Sequence, residues 1–380
     1  TTTLAGTGGT TGGWEHSVRA GGTLHTRRRR AVAAGILALN QPKGTRSVST
    51  HTPSPTWPPL PDNPLVSVIV PAYNCGAYLK ETLQSVLDQG YDAIEILVID
   101  DGSTDNTREV ASRFGGPVRL LETAQPSSGA AASRNVGLRA AQGALIAFLD
   151  GDDVWLPGKL QAQIDCLQAH PEAAMAASEF ILWYPDGAGR WTAHAHFAAQ
   201  TAGVEPAALD PERSGWLYHR LLLDTVVWTG AVVMRRELVA AVGEFREELR
   251  LAEDYDYWIR ASRLTPILTL ARPFALYRRH PASATKRWTT VNYALTVLES
   301  ALEQWGLSGP DGSAITPDQL RRRRFGLHFS MGYNLFWAGQ KAAAAPAFWG
   351  AWRARPGHLK AALYALLATA AWGAQRWRHR

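Results

Sequence analysis

Cysteine is scarce in this chain of 380 residues, and Cys75 and Cys166 stand far apart without metal-ligand spacing. This argues against a disulfide framework and favours a reducing compartment. Apolar runs of 18 or more residues are missing, so no membrane-spanning helix is predicted, and the closest candidate, 361–372, is too short. No Gly-x-Gly-x-x-Gly follows the first predicted strand, which argues against a dinucleotide-binding dehydrogenase.

The net charge of +6 is unevenly spread, with basic clusters at 27–30, 321–324 and 376–380. Such clusters are surface patches that meet anionic lipid or polyphosphate, or they are ordinary solvated faces. Nucleic acid is disfavoured because no zinc spacing, helix-turn-helix signal or RNA-binding aromatic motif accompanies them. The apolar stretch 31–39 after the first cluster resembles a weak signal-like or membrane-surface segment.

The chain divides into three regions by composition and periodicity. Residues 1–64 are rich in Thr, Gly, Ser and Pro, which predicts a disordered tail. Between residues 65 and 285, strands alternate at first with helices, which predicts a parallel sheet with right-handed crossovers. The later part of this region predicts a hairpin formed by 173–184 and 191–197, then a strand at 226–235. Residues 286–380 show helical spacing and predict a C-terminal extension.

A predicted strand at 144–149 ends in three carboxylates within four residues, Asp150, Asp152 and Asp153. Carboxylates this close repel one another, and their desolvation is costly unless positive charge arrives. Hard oxygen ligands suit Mg²⁺ or Mn²⁺, which often bind one or two carboxylates together with substrate phosphates. A solvated acidic turn is the alternative interpretation.

Two further predicted strands end in polar residues, one at Asp100-Asp101-Gly102 and the other at Pro71-Ala72-Tyr73-Asn74. In open parallel sheets, ligands bind outside the carboxyl ends of the strands. An aromatic ring, an aspartate suited to a base or ribose, and a metal-binding aspartate cluster at one edge together predict a nucleoside-diphosphate site.

Six motifs in order give this chain a recognisable pattern: 66–74, 98–105, 129–137, 148–153, 252–260 and 277–280. In combination they resemble glycosyltransferase family 2, whose members depend on nucleotide sugars and have the GT-A fold. The resemblance implies an α/β fold with a Rossmann-like, mostly parallel sheet flanked by helices. The catalytic domain would span 65–285, with 286–380 as a C-terminal helical appendage.

The resemblance also implies a role for individual residues at the donor. Tyr73 would lie against a pyrimidine ring and Asp101 would accept a hydrogen bond from it, which favours a uridine-type donor. Asp100 would do similar work or would only cap a turn. The expected nucleotide-binding residues are Pro71, Tyr73, Asn74, Asp100, Asp101, Arg134 and Asp150. The expected ligands of Mn²⁺ or Mg²⁺ are Asp152, Asp150 and His280.

The motif at 252–260 implies the catalytic group. By resemblance, Asp254 is the base that takes the proton of the acceptor hydroxyl in an inverting transfer, and Glu253 positions it or contacts the acceptor. Capping of a helix dipole is the alternative for such a carboxylate pair. The Gln-x-x-Arg-Trp motif of processive members is missing, which indicates addition of a single sugar.

These observations predict transfer of one sugar to a hydroxyl acceptor, a carbohydrate or a lipid-linked molecule, in polysaccharide or glycolipid assembly. We expect a cytoplasmic location, with peripheral contact at the inner face of the membrane. Trp349, Trp352, Trp372 and Trp377 suit an interfacial position or pack the appendage. The alternatives are a catalytically degenerate assembly partner and a nucleotidyltransferase, although the latter needs a Gly-rich loop that Pro71-Ala72-Tyr73-Asn74 does not form.

Overall fold

The computed structural model describes residues 56–280 and 289–378, with side chains described as far as Trp372. The predicted tail therefore lies outside the described residues as far as position 55, as does the signal-like stretch. The packed chain begins before the expected start at Leu65. The backbone N–H of Trp57 donates to Pro171 O at 3.1 Å, and the hydroxyl of Tyr91 donates to Pro64 O at 2.8 Å.

The described residues form an eight-stranded sheet in the order β3-β2-β1-β4-β7-β6-β8-β5. One half, β3 to β4, is parallel throughout, whereas β7 runs antiparallel to β4 and to β6. Strand β8 is parallel to β6 and antiparallel to β5. The expected α/β fold is confirmed, with a more mixed second half. The strands are β1 (Val66–Ala72), β2 (Ile94–Asp100), β3 (Val118–Glu122), β4 (Leu145–Phe148), β5 (Val154–Trp155), β6 (Met175–Trp183), β7 (Val233–Arg235) and β8 (Ile267–Arg278).

Helices cover both faces of the sheet and form the C-terminal region. In the first part these are α1 (Gly76–Leu87), α2 (Thr107–Ser112), α3 (Ala130–Ala140), α4 (Lys159–Ala169), α5 (His194–Thr201), α6 (Tyr218–Leu221), α7 (Arg236–Val242) and α8 (Glu253–Ala261), with a 3₁₀ turn at Thr229–Ala231. The C-terminal helices are α9 (Tyr293–Trp305), α10 (Pro317–Trp337), α11 (Lys341–Ala354) and α12 (Leu359–Arg378). Within the described ranges, no helix is both long and apolar enough to cross a membrane.

The predicted hairpin between residues 173 and 197 is wrong. Its first arm is β6, but its second arm contains part of α5 and no strand. The aromatic residues there are partly buried and pack against Trp183 instead of pairing by backbone, with ring centroids 5.1 Å away for Trp191 and 6.3 Å for Phe197. The backbone of β6 pairs with β7 and β8, which come much later in the sequence. The predicted strand 226–235 is likewise only the 3₁₀ turn and the short β7.

Strand β1 lies in the middle of the parallel half and is buried on both faces. Ile69 belongs to the core on one face, and Val68 and Val70 belong to the core on the other. Helix α3 packs closely on the Ile69 face at Gly137, where an added Cβ would lie 2.4 Å from Ile69 Cγ2. A glycine is required at this contact. The close approach of α3 to the sheet also fixes the distance from the sheet at which Arg134 lies, one turn earlier in the helix.

Replacement of Gly137 by alanine tests this close contact. Although alanine favours helices over glycine by about 1 kcal/mol, the clash with Ile69 should lower the free energy of unfolding by roughly 1–3 kcal/mol. Urea denaturation followed by circular dichroism measures the change. Gly326 in α10 is the matched control, since nothing lies within 4 Å of its added Cβ. Stabilisation by both substitutions would contradict the packing described for α3.

Candidate active site

The carboxyl ends of β1, β2 and β4 meet at one edge of the sheet. The backbone N–H of Asp101 donates to Ala72 O at 2.9 Å, and that of Gly151 donates to Pro71 O at 3.1 Å. Gly151 has no room for a side chain, because a Cβ would lie 2.7 Å from Cys75 Sγ and 3.0 Å from Pro71 O. The acidic loop after β4 therefore lies directly against the end of β1.

Asp101 fixes the loop that leads into α3. Its carboxylate accepts hydrogen bonds from the backbone N–H groups of Ser128 at 2.9 Å and Gly129 at 2.7 Å, and from the hydroxyl of Thr123 at 2.8 Å. Tyr73 lies beside this loop, with its hydroxyl 3.5 Å from Ser127 Oγ, and its side chain is 42% exposed. An open aromatic face next to ordered backbone is suited to stacking of a planar base.

Asp100 and Asn74 organise the neighbouring turn. Asp100 is fully buried and accepts from the backbone N–H groups of Gly102 and Ser103 and from Arg108 Nε at 2.6 Å. Asn74 has a left-handed backbone with φ of 49°, which asparagine tolerates, and its Oδ1 accepts from Thr104 N at 2.8 Å. The geometry of Asp100 is that of a turn cap, the alternative that the sequence left open.

Arg134 joins the acidic loop to the start of α8. Its guanidinium is almost completely buried and donates to Asp150 Oδ1 at 2.9 Å and to Glu253 Oε1 at 2.7 Å. The family resemblance implied that Arg134 binds the nucleotide, whereas two carboxylates occupy these two donors. Burial, reinforced by the charge of Asp254, raises the pKa of Glu253 to about 7. One cation between several carboxylates leaves this region short of positive charge.

The end of strand β8 and the residues directly after it supply the partners of the other two aspartates in the loop. His280 Nε2 lies 2.8 Å from Asp152 Oδ2, and its ring lies 4.7 Å from that of Tyr78. Asp153 is fully buried and its Oδ1 accepts from the backbone N–H of Arg278 at 2.7 Å. Burial raises the pKa of Asp153 well above its usual range. Asp152 is thus the more accessible carboxylate, and Asp153 is part of the scaffold.

Arg278 was not among the predicted site residues. Its Nε donates to Asp152 O at 2.6 Å, and its guanidinium also pairs with Glu81. Three aromatic rings surround the guanidinium, those of Trp183, Trp191 and Tyr78, at 4.1, 4.8 and 4.9 Å. The three rings hold the Arg278 side chain where it can bind the backbone of the acidic loop. The motif 277–280 contains Arg278, but no short motif in the sequence indicates these ring partners.

The ligand types in this region fit a divalent cation. No group of three or more His, Cys, Asp and Glu side chains is arranged to hold a metal ion in the described ranges 56–280 and 289–372. Asp152 and His280, however, put a carboxylate and an imidazole together, and both are ligands of Mn²⁺. Ions such as Mg²⁺ often bind few protein groups and complete their shell with phosphate oxygens and water.

Asp254 lies at the start of α8, where Ala252 has a left-handed backbone with φ of 63°. Its Oδ1 accepts from the backbone N–H of Tyr255 at 2.7 Å, and its Oδ2 accepts from the hydroxyl of Thr229 at 3.1 Å. Thr229 belongs to the 3₁₀ turn before β7 and was also missed by the sequence analysis. Only the three-dimensional contact reveals it, because the two residues lie 25 positions apart.

Comparison with known proteins agrees with this fold. The model of the family "Glycosyl transferase family 2" matches residues 67–239. A UDP-Glc:alpha-D-GlcNAc-diphosphoundecaprenol beta-1,3-glucosyltransferase of Escherichia coli is 43% identical over 106 residues, which cover 28% of this chain and 42% of that protein. A putative teichuronic acid biosynthesis glycosyltransferase of Bacillus subtilis is 38% identical over 126 residues, covering 33% and 50%. The matches span half or less of either relative.

Among solved structures, the fold is similar to that of Staphylococcus aureus TarS 1-349 in complex with UDP. The TM-score is 0.55 at 19% identity, covering 80% of this chain and 88% of that one. At this identity the likeness supports the fold alone. Residues 67–239 therefore carry the sequence pattern of glycosyltransferase family 2, and the described chain has a fold of the GT-A type.

The raised pKa of Glu253 predicts a pH dependence of stability. The pKa of Glu253 rises from 4.5 to about 7 on folding, so protonated Glu253 stabilises the folded state. This contribution to the free energy of unfolding is fully present below pH 4.5 and is lost as pH rises through 7. Relative to Glu253→Gln, the wild type should therefore lose roughly 1–3 kcal/mol of unfolding free energy across this window. Urea denaturation at several pH values measures it. Glu248→Gln, at an exposed position, is the matched control. If the difference in unfolding free energy between the wild type and Glu253→Gln did not change with pH, the raised pKa of Glu253 would be contradicted.

Proposed function

We propose that the chain transfers a single sugar, with inversion, from a nucleoside-diphosphate sugar to a hydroxyl acceptor. The observation that carries this proposal is the bridge made by Arg134 between Asp150 and Glu253. Asp152 lies two residues after Asp150, and Asp254 directly follows Glu253. The bridge therefore puts the proposed metal ligand and the proposed base at the same edge of the sheet.

The donor is proposed to be a UDP-sugar. Tyr73 would stack on the uracil, while Pro71, Asn74 and Asp101 shape the surrounding loops that receive the nucleotide. The E. coli relative is named for a UDP-Glc donor, and the S. aureus neighbour is described in complex with UDP. Asp100, which is buried and paired with Arg108, takes the structural role in this proposal.

Asp152 and His280 would hold a Mn²⁺ or Mg²⁺ ion, with Asp150 close by. A bound divalent cation supplies Lewis-acid stabilisation to the leaving diphosphate. The residues of the chain perform the remaining work. Arg134 keeps Asp150 in place, and Arg278 fixes the backbone of Asp152 through the carbonyl oxygen of that residue.

Asp254 would act as the base. As the acceptor oxygen attacks the anomeric carbon, its proton passes to the carboxylate of Asp254, while the bond between that carbon and the diphosphate breaks. Attack from the side opposite the leaving group inverts the configuration without a covalent enzyme intermediate. Thr229 and the Tyr255 N–H each occupy one carboxylate oxygen and so orient the group.

The acceptor class is proposed from the named relatives. One is named for a diphosphoundecaprenol-linked acceptor and the other for teichuronic acid biosynthesis. We propose a carbohydrate or lipid-linked acceptor in the assembly of a cell-surface polymer, with the enzyme working in the cytoplasm at the membrane surface.

A donor panel tests the reaction class without knowledge of the acceptor. UDP-, GDP- and dTDP-sugars are tested for release of the nucleoside diphosphate. Release should occur with a UDP-sugar and require Mn²⁺ or Mg²⁺, because slow transfer of the sugar to water uses the same protein groups as transfer to the acceptor. Asp152→Asn should lower this rate by about a hundredfold or more. The exposed Asp62 supplies the matched control Asp62→Asn.

Calorimetry with UDP and Mn²⁺ distinguishes slow chemistry from lack of binding. Donor binding with no turnover by the wild type, even with a panel of lipid-linked and free glycoside acceptors, would contradict the proposed reaction and favour the catalytically degenerate partner. Absence of nucleotide binding would overturn the donor site itself.

Variants at the base separate chemistry from binding. Asp254→Asn should lower the turnover of donor hydrolysis by roughly 10²–10⁴-fold with UDP affinity unchanged. Thr229→Val should lower turnover about tenfold through loss of the hydroxyl, and Thr229→Ser, which keeps it, should restore most of the rate. Equal turnover of Thr229→Val and wild type would show that this hydrogen bond does not orient the base.

A further inference from the structure

Helix α12 presents leucine side chains on its solvent side. Leu359, Leu363, Leu366 and Leu367, here called the leucine stripe, are 83%, 55%, 58% and 49% exposed. Their spacing of four, three and one residues puts them on one face of an α-helix. Ala361, Ala365 and Ala368 are fully buried on the opposite face. The helix thus packs on α11 through its small residues and leaves its large apolar residues exposed.

The part of the sequence that contains this helix has basic residues and no acidic ones. Asp318 is the last acidic residue of the chain, and residues 319–380 contain eleven lysines and arginines. The net charge of +6 therefore comes wholly from this segment. Two of these cations lie near the start of α12, where Lys360 Nζ is 5.8 Å from the Phe329 ring and the Arg355 guanidinium is 5.6 Å from the Phe325 ring.

Of the four tryptophans that suit an interfacial position or pack the appendage, two are used in packing. Trp349 Nε1 donates to Thr369 Oγ1 at 3.1 Å, and the ring of Trp349 packs edge-on against Trp352 at 5.8 Å. Both thus contribute to the packing of the C-terminal helices. Trp372 is 42% exposed, and the side chain of Trp377 lies outside the described residues. Among the described residues of α10 to α12, the leucine stripe is the largest set of exposed apolar side chains, and Trp337 and Trp372 are exposed as well.

We propose that the leucine stripe docks the chain on the surface of a bilayer that contains anionic lipids. An interfacial helix buries one apolar face at the level of the headgroups and is held by basic residues that meet anionic lipid. Arg321 to Arg324 pair with Asp318, Asp224 and Glu299. The other basic residues of this segment, which has no acidic residue of its own, match such a surface in charge, whereas a protein partner would require a complementary acidic patch of defined shape. The inference rests on α10 to α12 and goes beyond the proposed transfer reaction.

Vesicle flotation of the full chain tests the proposal without donor or acceptor. The chain should float with vesicles of mixed phosphatidylglycerol and phosphatidylcholine, and high salt should weaken this binding because it screens the basic residues. The triple variant Leu363→Gln, Leu366→Gln, Leu367→Gln should lower the partition coefficient by about tenfold or more. The triple leucine-to-methionine variant at the same positions keeps the apolar surface and should retain binding.

Circular dichroism confirms that each variant is folded, and calorimetry with UDP shows whether the donor site is intact. Failure of docking can thus be told apart from failure of the proposed function. Equal flotation with pure phosphatidylcholine, or unchanged flotation of the glutamine variant, would overturn the proposal. The proposal would also be overturned if the wild type bound no vesicles and light scattering showed it to be a dimer while the glutamine variant was a monomer. In that case a second copy of the chain would cover the leucine stripe.

Discussion

The bridge that one buried guanidinium makes between two carboxylates is the interaction on which the rest of the site depends. Arg134 comes from α3, Asp150 from the end of β4 and Glu253 from the start of α8. Removal of a buried cation from such a group would leave its carboxylates unpaired in a poorly solvated place, at a cost of about 3–5 kcal/mol. The close packing of α3 at Gly137 sets the position from which Arg134 reaches both partners.

A second layer of support lies behind the acidic loop. Asp153 is directed away from the cleft to the backbone of Arg278, while Asp152 remains accessible beside His280. Adjacent residues with the same side chain thus have different environments, one enclosed by protein and one partly open to solvent. Aromatic rings around Arg278 compensate for its burial by cation–π contact in addition to its hydrogen bonds.

Sequence patterns predicted the parallel half of the sheet well, because β1, β2 and β4 are apolar runs that end in turn residues. They failed at the second arm of the expected hairpin, 191–197, where aromatic side chains pack on Trp183 and the backbone forms no strand. Motifs supplied the predicted site residues, and their roles stay predictions. The contacts of Thr229 with Asp254 and of Arg278 with the acidic loop were not predicted, although Arg278 lies in the motif 277–280, because these contacts join distant parts of the chain and no local pattern encodes them. The same limit left the role of Asp100 open until its pairing with Arg108 was seen.

The link between Asp153 and Arg278 joins residues 125 positions apart and has a consequence for biosynthesis. The acidic loop is synthesised well before β8, so it has neither Arg278 nor His280 while about the next 125 residues are made. The parallel strands β1, β2 and β4 can pair early, but the loop takes its final shape only after β8 has joined the sheet between β6 and β5. Chains that stop short of residue 280 would therefore contain most of the sheet and lack an assembled site, which couples competence for ligand binding to completion of the whole domain.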